Sequence, residues 1–223
     1  MTTPEITIAT PADREAVVGC LVAAFVKDPV LRHLFPDEDT YPRYAAAFFG
    51  HLFDKRVHRS SIWTIGGGAS VALWDPPAAL PAAPPAAPPA DLPAALPAAP
   101  PADPPADLPA DPPAAAHGSP EGASYPADVL ARVQGYDEAV HAALPTFPFW
   151  YLGVLGTHPE SAGRGWGRAV MRAGLDRAAA DGLPAILETS KPGNVELYRR
   201  AGWDVVGSLS EPVPTWIMQQ PPR

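Results

Sequence analysis

Apolar residues recur along this chain with two spacings, and each spacing predicts a different kind of element. Helical spacing follows Pro11-Ala12-Asp13 and returns near residue 44, where the two apolar faces comprise Val17, Val18, Leu21, Val22 and Phe25, and then Tyr44, Phe48, Phe49, Leu52 and Phe53. Alternation at 5–10 predicts a first strand. Residues 61–65 and 69–75 predict two more strands, joined by a hairpin turn at Gly66-Gly67-Gly68.

The second half of the chain alternates helices and strands more regularly. It predicts helices at 128–144, about 165–181 and 194–201, and strands at 148–157, 185–189, 203–207 and around 215–219. The complete order is β-α-α-β-β-α-β-α-β-α-β-β. This mixed order indicates an α/β or α+β domain with a mostly central sheet.

A proline-rich segment interrupts these patterns. Residues 76–113 contain 16 of the 32 prolines, together with 14 Ala, 4 Asp and 4 Leu. Proline at this density prevents the hydrogen-bond ladders of helices and sheets. We therefore predict a disordered insert at 76–116 with polyproline II character. It divides one domain into an N-terminal part, 1–75, and a C-terminal part, 117–223.

Composition argues against several classes of function. The formal net charge is −8, and no Lys/Arg cluster offers the basic surface that nucleic acid or an anionic membrane requires. No run of 18 apolar residues predicts a membrane span, and the first residues show no secretory signal, so we expect a cytoplasmic protein. The histidines and the single Cys20 have no ligand spacing, and no metal is expected. No pattern indicates an oligomeric state.

A glycine-rich loop carries the clearest chemical signal. Gly163, Gly165 and Gly167 alternate directly before a predicted helix, and a backbone without side chains lets a ligand approach closely. The helix N-terminus adds a positive dipole, so the loop predicts an anion site that suits a pyrophosphate. The Rossmann and Walker A spacings do not fit this loop.

Three arginines follow the same loop at intervals of four. Arg164, Arg168 and Arg172 are predicted to share one face at the start of the helix, where cations oppose the helix dipole unless an anion binds. For Arg172 a solvated pair with Asp176 is an open alternative.

The stretch from Trp150 to Met218 resembles the GNAT acetyltransferases. A strand leads into P-x-x-x-G-R-G-x-G and a helix, followed by L-E-T-S-x-P-x-N-x-x-x-Y-x-x-x-G-W. The residues in these motifs closely resemble those of the branch that contains puromycin N-acetyltransferase. The resemblance implies a single domain with a central, mostly antiparallel sheet, flanking helices and a splayed parallel strand pair. It also implies acetyl-CoA as cosubstrate and direct transfer of the acetyl group to an amine of a small molecule in a ternary complex.

The resemblance assigns roles to individual residues. Cofactor contacts fall on Leu155, Thr157, Gly163, Arg164, Gly165, Gly167, Arg168 and Asn194. An N–H of the splayed strand is expected to polarise the thioester carbonyl, and Tyr198 to protonate the departing thiolate; helix packing is the alternative for Tyr198. Ala162 stands where the family usually has Gln or Arg, which removes a side-chain contact but leaves the backbone loop.

The proton acceptor for the attacking amine has two candidates. Glu188 ends a strand near the expected thioester, and His158 follows the splayed strand. A structural carboxylate and a solvated imidazole are the alternatives. By position alone, the acceptor pocket is expected to involve Phe25, Asp28, His33 and Phe35.

Two other functions stay open. A CoA-binding module without turnover, acting as a sensor, is slightly favoured by Ala162, whereas Asn194 and Tyr198 favour the enzyme. The insert also contains P-x-x-P units at 81–84, 85–88 and 97–100, which aromatic grooves can bind. No Arg or Lys flanks these units, so a passive insert is the simpler interpretation.

Overall fold

The computed structural model describes residues 5–77 and 125–222. The strands are β1 (Ile6–Ile8), β2 (Ile62–Ile65), β3 (Ser70–Asp75), β4 (Trp150–Thr157), β5 (Ala185–Thr189), β6 (Asp204–Leu209) and β7 (Thr215–Gln220). The helices are α1 (Arg14–Ala24), α2 (Pro29–Leu34), α3 (Tyr41–Val57), α4 (Ala127–Ala143), α5 (Trp166–Ala180) and α6 (Pro192–Arg200). Except for its first two residues, the predicted insert at 76–116 lies outside the described residues, and so do residues 117–124.

The described strands form one sheet in the order β1-β2-β3-β4-β5-β7-β6. The neighbours β4 and β5 run parallel, and the other recorded pairs are antiparallel. The predicted fold class is confirmed: a mixed α/β domain with a mostly antiparallel central sheet, flanking helices and one parallel strand pair. Within the described ranges, no helix is long and apolar enough to cross a membrane.

Each face of the sheet carries its own apolar core. Side chains of β3 alternate between the two faces, so that Val71 and Leu73 join a cluster with α1 to α4, and Ala72 and Trp74 join a cluster with α5 and α6. Trp74 is fully buried against Gly174, where a Cβ atom would lie 2.2 Å from the indole. This glycine is therefore needed for space, and it lets α5 lie close to the sheet.

Helix α2 has no counterpart among the predicted elements. Asp28 caps it by accepting hydrogen bonds from the amides of Val30 at 3.0 Å and Leu31 at 3.3 Å, and Pro29 occupies its first turn. Six residues are too few to repeat an apolar face, so periodicity could not reveal it. Other boundaries shift by a few residues; the strand predicted from 148 begins at Trp150, after Pro148, which has no N–H to donate.

Candidate active site

The parallel strands β4 and β5 separate after a short stretch of pairing. Trp150, Tyr151 and Leu152 pair with Ala185, Ile186 and Leu187. Beyond Leu152, β4 continues to Thr157 and pairs with β3 only. The edge of β4 that faces β5 is therefore open over its last residues, and we refer to this opening as the gap.

The direction of the amides along β4 follows from two hydrogen bonds. The N–H of Trp150 donates to the carbonyl of Pro184 at 2.9 Å, on the β5 side, whereas the N–H of His158 donates to the carbonyl of Ala69 at 2.8 Å, on the β3 side. Amides in a regular strand alternate between its two edges. Because Trp150 and His158 are an even number of residues apart, a regular strand would point both amides the same way.

A β-bulge explains the reversal. Leu73 of β3 pairs with Val154 and Trp74 pairs with Leu152, which leaves Gly153 as an extra residue in β4. One extra residue reverses the alternation. The core clusters agree, because Tyr151 and Val154 lie on the same face of the sheet although they are three residues apart.

The bulge sets which backbone groups face the gap. Counting back from His158, the amides of Gly156 and Val154 point toward β3, and those of Leu155 and Thr157 point into the gap. The two residues predicted to offer backbone groups to a thioester therefore present their amides at the unpaired edge.

The glycine loop, residues 159–168, leads from β4 into α5. Gly163 and Gly165 both have φ 77°, a left-handed conformation that side chains disfavour. Gly165 is the N-cap of α5 and supplies no capping side chain, and the first helical bond runs from Ala169 N–H to Gly165 O at 3.1 Å. The amides of residues 166–168 therefore have no partner within the helix, which is the arrangement that binds anions.

Gly167 brings this helix start against the end of β4. A Cβ atom there would lie 3.0 Å from Oγ1 of Thr157, which itself lies 2.7 Å from Oγ of Ser70. The free amides of α5 and those of the gap are consequently neighbours. One elongated ligand can contact both.

The three arginines do not share a single helical face, and this part of the prediction was wrong. Arg164 precedes the N-cap, and its guanidinium stacks over the ring of Trp166 at 5.1 Å from the centroid. Arg168 lies exposed in the first turn, and Arg172 pairs with Asp176 at 3.4 Å with 72% of its side chain exposed. The structure thus places Arg164 and Arg168 at the glycine loop, and Arg172 matches the solvated-pair alternative.

A cavity opens between the diverging ends of β4 and β5. About 790 Å³ of space, open solvent included, lies beside Leu155, Glu188, Asn194 and Tyr198. Its opposite wall is apolar and comes from the N-terminal helices and the loop before α2, with Phe25, Val30, Leu31, Leu34, Phe48 and Phe49. We call this space the central cavity. Its described lining includes two carboxylates, Asp28 and Glu188, and neither lysine nor arginine.

Glu188 lies among three tyrosines. The hydroxyl of Tyr151 donates a hydrogen bond to its carboxylate. Burial, and then the charge of Glu188, raise the pKa of Tyr198 to about 12 and raise the pKa values of Tyr136 and Tyr151 as well. The three phenols therefore stay protonated around one carboxylate at neutral pH.

Helix α6 supplies Asn194 and Tyr198, four residues apart. Nδ2 of Asn194 donates to Oγ1 of Thr189 at 3.3 Å, which ties the helix to the end of β5. The ring of Tyr198 packs edge-on against Trp203, with centroids 6.0 Å apart, and the same residue lines the central cavity. Tyr198 therefore packs as the alternative expected, and because it also lines the cavity, its role as the acid stays a prediction.

The acceptor residues expected from position divide into two groups. Phe25 and Asp28 line the central cavity, whereas His33 and Phe35 are not among its lining residues. Phe35 stacks on Tyr125 with centroids 6.0 Å apart. Asp28 is occupied, because it caps α2 and pairs with Nζ of Lys191 at 3.2 Å.

His158 also lies outside the lining. Its Nδ1 accepts the amide of Glu160 at 3.4 Å, so its imidazole serves the turn before α5. Sequence reasoning missed Tyr136, Phe48 and Phe49 as cavity residues and Tyr151 as the hydrogen-bond donor to Glu188, since each resembles an ordinary core residue in its own segment. Among the described side chains, no group of three His, Cys, Asp or Glu is placed to hold a metal ion.

Comparison with known proteins supports an assignment of the site. The model of the acetyltransferase (GNAT) family matches residues 114–203. This stretch contains β4, the glycine loop, α5, β5 and α6, which together build the gap and one side of the central cavity.

Solved structures share the fold over nearly the whole chain. A histone acetyltransferase HPA2-related acetyltransferase from Corynebacterium glutamicum is 23% identical, with a TM-score of 0.57 over 100% of this chain and 98% of that one. Arylalkylamine N-acetyltransferase 2 from Aedes aegypti is 9% identical, with a TM-score of 0.59 and full coverage of both chains. The C-terminal condensation domain of Ebony, 12% identical, has a TM-score of 0.61 over 99% and 100% of the two chains.

At these identities the similarities establish the fold and not the reaction. The family match and the fold together support an N-acetyltransferase enzyme. More particularly, they support the GNAT acetyltransferases, the family that the motifs of the second half resemble.

Proposed function

We propose that this protein is an acetyl-CoA-dependent N-acetyltransferase that acts on an amine of a small molecule in the cytoplasm. The observation that carries the proposal is the adjacency of three features: the gap with its two free amides, the uncapped start of α5, and the central cavity around Glu188. A donor that is long and anionic at one end fits the first two, and an amine fits the third. The puromycin N-acetyltransferase branch is part of the proposal.

The glycine loop is the proposed diphosphate site. Gly163, Gly165 and Gly167 leave the backbone accessible, and Arg164 and Arg168 add positive charge where an anion also meets the helix dipole. Asn194 lies across the gap and is proposed to contact the cofactor. Ala162 contributes no polar side chain, so the backbone amides carry most of this contact.

The amides in the gap are the proposed oxyanion donors. When an amine attacks the thioester, its carbonyl oxygen becomes negatively charged, and the N–H of Leu155 or Thr157 stabilises that charge. Preorganised donors of this kind are each worth about 10²- to 10³-fold in rate.

The proton transfers require one base and one acid. The bound ammonium group first releases one proton to solvent. The neutral amine nitrogen then forms the new C–N bond and loses its second proton to Glu188, while the C–S bond breaks and the thiolate takes a proton from Tyr198. A thiol has a pKa of about 8.5, so the buried phenol, whose pKa is raised to about 12, gives up its proton only as the thiolate forms. Burial and the Glu188 charge both raise the pKa of Tyr198, so the two groups interact, and a return of the proton from Glu188 restores the neutral phenol.

The lining of the central cavity suggests a singly charged amine with an apolar body. Asp28 is already engaged by Lys191, which leaves Glu188 as the carboxylate that meets the ammonium group. Phe25, Phe48 and Phe49 face the same space and would pack against the rest of the molecule.

Two measurements test the proposal in sequence. Titration with CoA should give a saturable signal, and incubation with acetyl-CoA and a panel of amines should release free thiol and an acetylated product identified by mass spectrometry. Apolar monoamines should react faster than polyamines of similar size. A protein that binds no CoA would disprove the assignment.

The second candidate is a CoA-binding module without turnover, which Ala162 favours. The same experiments separate the two functions, because such a module binds CoA and stays silent across the whole panel.

A further inference from the structure

A buried ion pair lies behind the bulge of β4. Arg56, in the last turn of α3, is fully buried, and its Nη2 lies 2.5 Å from Oδ2 of Asp75, the last residue of β3. Its Nη1 donates to the carbonyl of Leu52 at 3.0 Å. One guanidinium therefore connects the end of α3 to the end of β3.

The same guanidinium contacts the bulge itself. A Cβ atom on Gly153 would lie 3.3 Å from Nη2 of Arg56 and 3.4 Å from Cε1 of Tyr151. The extra residue of β4 is thus packed between a buried cation and an aromatic ring. Gly153 does not have a left-handed φ, so the limit on a side chain here comes from space: an added Cβ atom would displace the guanidinium by a few tenths of an ångström.

Stability alone does not account for a charge in this place. Buried ion pairs are often no more stabilising than apolar side chains of the same volume. What arginine adds is a planar fork that holds two acceptors in fixed directions, which lysine cannot reproduce. Here one acceptor, the carbonyl of Leu52, lies in the helix that carries Arg56, and the other, Asp75, ends the strand that pairs with the bulged segment.

We propose that Arg56 and Asp75 form a positioning pair that fixes the bulge at Gly153 and so aims the amides of Leu155 and Thr157 into the gap. Neither Arg56 nor Asp75 is among the residues lining the central cavity. The inference rests on the proposed function, because it gives those amides a place in the transfer step. It adds that the alternation of β4 is held by residues outside the cavity lining.

The test uses Asp75→Asn and Gly153→Ala in the full chain. The matched control is Asp54→Asn, which lies in the same helix as Arg56 and removes one partner of the exposed pair with Arg14. We expect both test variants to lower kcat by about 10- to 100-fold, as misplaced catalytic groups do. For Asp75→Asn, the dissociation constant for CoA and the KM for the amine should stay within about 2-fold, because the glycine loop and the cavity lining are untouched. Gly153 itself lines the central cavity, so for Gly153→Ala only the dissociation constant for CoA is expected to stay within that range.

A second measurement does not depend on turnover. Amide-resolved hydrogen exchange by NMR should change at Leu155 and Thr157 in both test variants, and not at 163–168, while Asp54→Asn leaves both segments as they are. Gly153→Ala keeps both charges and instead adds a Cβ atom 3.3 Å from Nη2 of Arg56, so it carries the test if Asp75→Asn fails to fold.

Two results would overturn the inference. One is a kcat within 2-fold of the control together with unchanged exchange at Leu155 and Thr157. The other is an equal loss of kcat and of CoA affinity, which indicates general damage to the fold. If the wild-type protein acetylates no amine, the proposed function fails, and the exchange data still decide whether the pair fixes the bulge.

Discussion

The glycine loop and the central cavity are neighbours, but they are assembled in different ways. The loop is ten consecutive residues, exposed at its arginines, with the backbone itself as the proposed ligand-binding group. The cavity collects side chains from α2, α3, α4, α6 and two strands, and its polar centre is one carboxylate among three tyrosines. Cofactor affinity is therefore expected to depend on the loop, and chemistry and acceptor choice on the cavity. Each prediction below alters one region and measures the effect on both.

The largest effect is expected from Tyr198→Phe. Loss of the proposed acid for the thiolate should lower kcat by about 10²- to 10³-fold, and CoA affinity should change little. Tyr125→Phe, which removes a hydroxyl bonded to the backbone of Tyr44, is the matched control. Because the pKa of Tyr198 is raised to about 12, wild-type kcat should not fall between pH 8 and pH 10 through ionisation of this phenol. A steep loss in that range, shared by wild type and variant, would assign the acid to another group.

Glu188→Gln should have the next largest effect. The amide keeps the shape of the side chain and removes the charge that is proposed to accept the amine proton, so we expect kcat to fall by about 10²-fold and the KM for the amine to rise. Glu196→Gln, whose carboxylate pairs with Arg199 on the exposed side of α6, controls for lost charge. Steady-state kinetics with an apolar monoamine measure both parameters. An unchanged kcat would reduce Glu188 to a structural carboxylate.

Gly165→Ala should act on the loop and spare the cavity. A side chain in the left-handed region costs about 1–2 kcal/mol, so a loop that relaxes to relieve this strain should bind CoA about 5- to 30-fold more weakly. Gly135→Ala in α4, where a Cβ atom meets nothing within 4 Å, is the control. Calorimetric titration with CoA gives the comparison, and a drop in kcat at saturating acetyl-CoA would show that the two regions are not separable.

Arg168→Ala should weaken CoA binding by a smaller factor. An exposed cation beside an anion contributes about 0.3–1 kcal/mol at low salt, which is less than 10-fold, and the difference from wild type should shrink as salt screens the charge. Arg172→Ala, one turn further along α5 and paired with Asp176, should leave the affinity unchanged. Equal losses in the two variants would indicate a general electrostatic effect instead of a contact.

The smallest effect is expected from deleting residues 78–113. A closed loop loses or gains little free energy as its length changes, about 0.6 kcal/mol for each doubling, so kcat and CoA affinity should both stay within 2-fold. Kinetics of the shortened chain test this. A large fall in kcat would mean that the insert shapes the central cavity.

Sequence reasoning reached the glycine loop more easily than the cavity, for a physical reason. The positive φ of Gly163 and Gly165 and the absence of a cap at α5 are local properties, and they leave a local trace in residue types. The order of helices and strands could also be predicted from the sequence, because most of these elements are long enough to repeat their apolar spacing several times. Helix α2 was missed because six residues cannot do so.

The cavity leaves no such trace. Tyr151 looks like one more apolar residue of a strand, and Tyr136 like one more residue of a helix. Only the fold brings them to Glu188. The bulge at Gly153 is equally invisible in the sequence, since the guanidinium that packs against it belongs to Arg56, which is almost a hundred positions earlier in the chain.

The sheet has two halves, one ending in β4 and the other beginning with β5. In the recorded pairing, only three residue pairs join them. A ligand that lies across this junction and is held from both sides does more than react there, because it ties the halves together. A ligand that binds the folded state and not the unfolded state lowers the population of open forms, and the effect grows with the ligand concentration. For this protein the cellular supply of the proposed cosubstrate would then determine in part how long the folded chain persists.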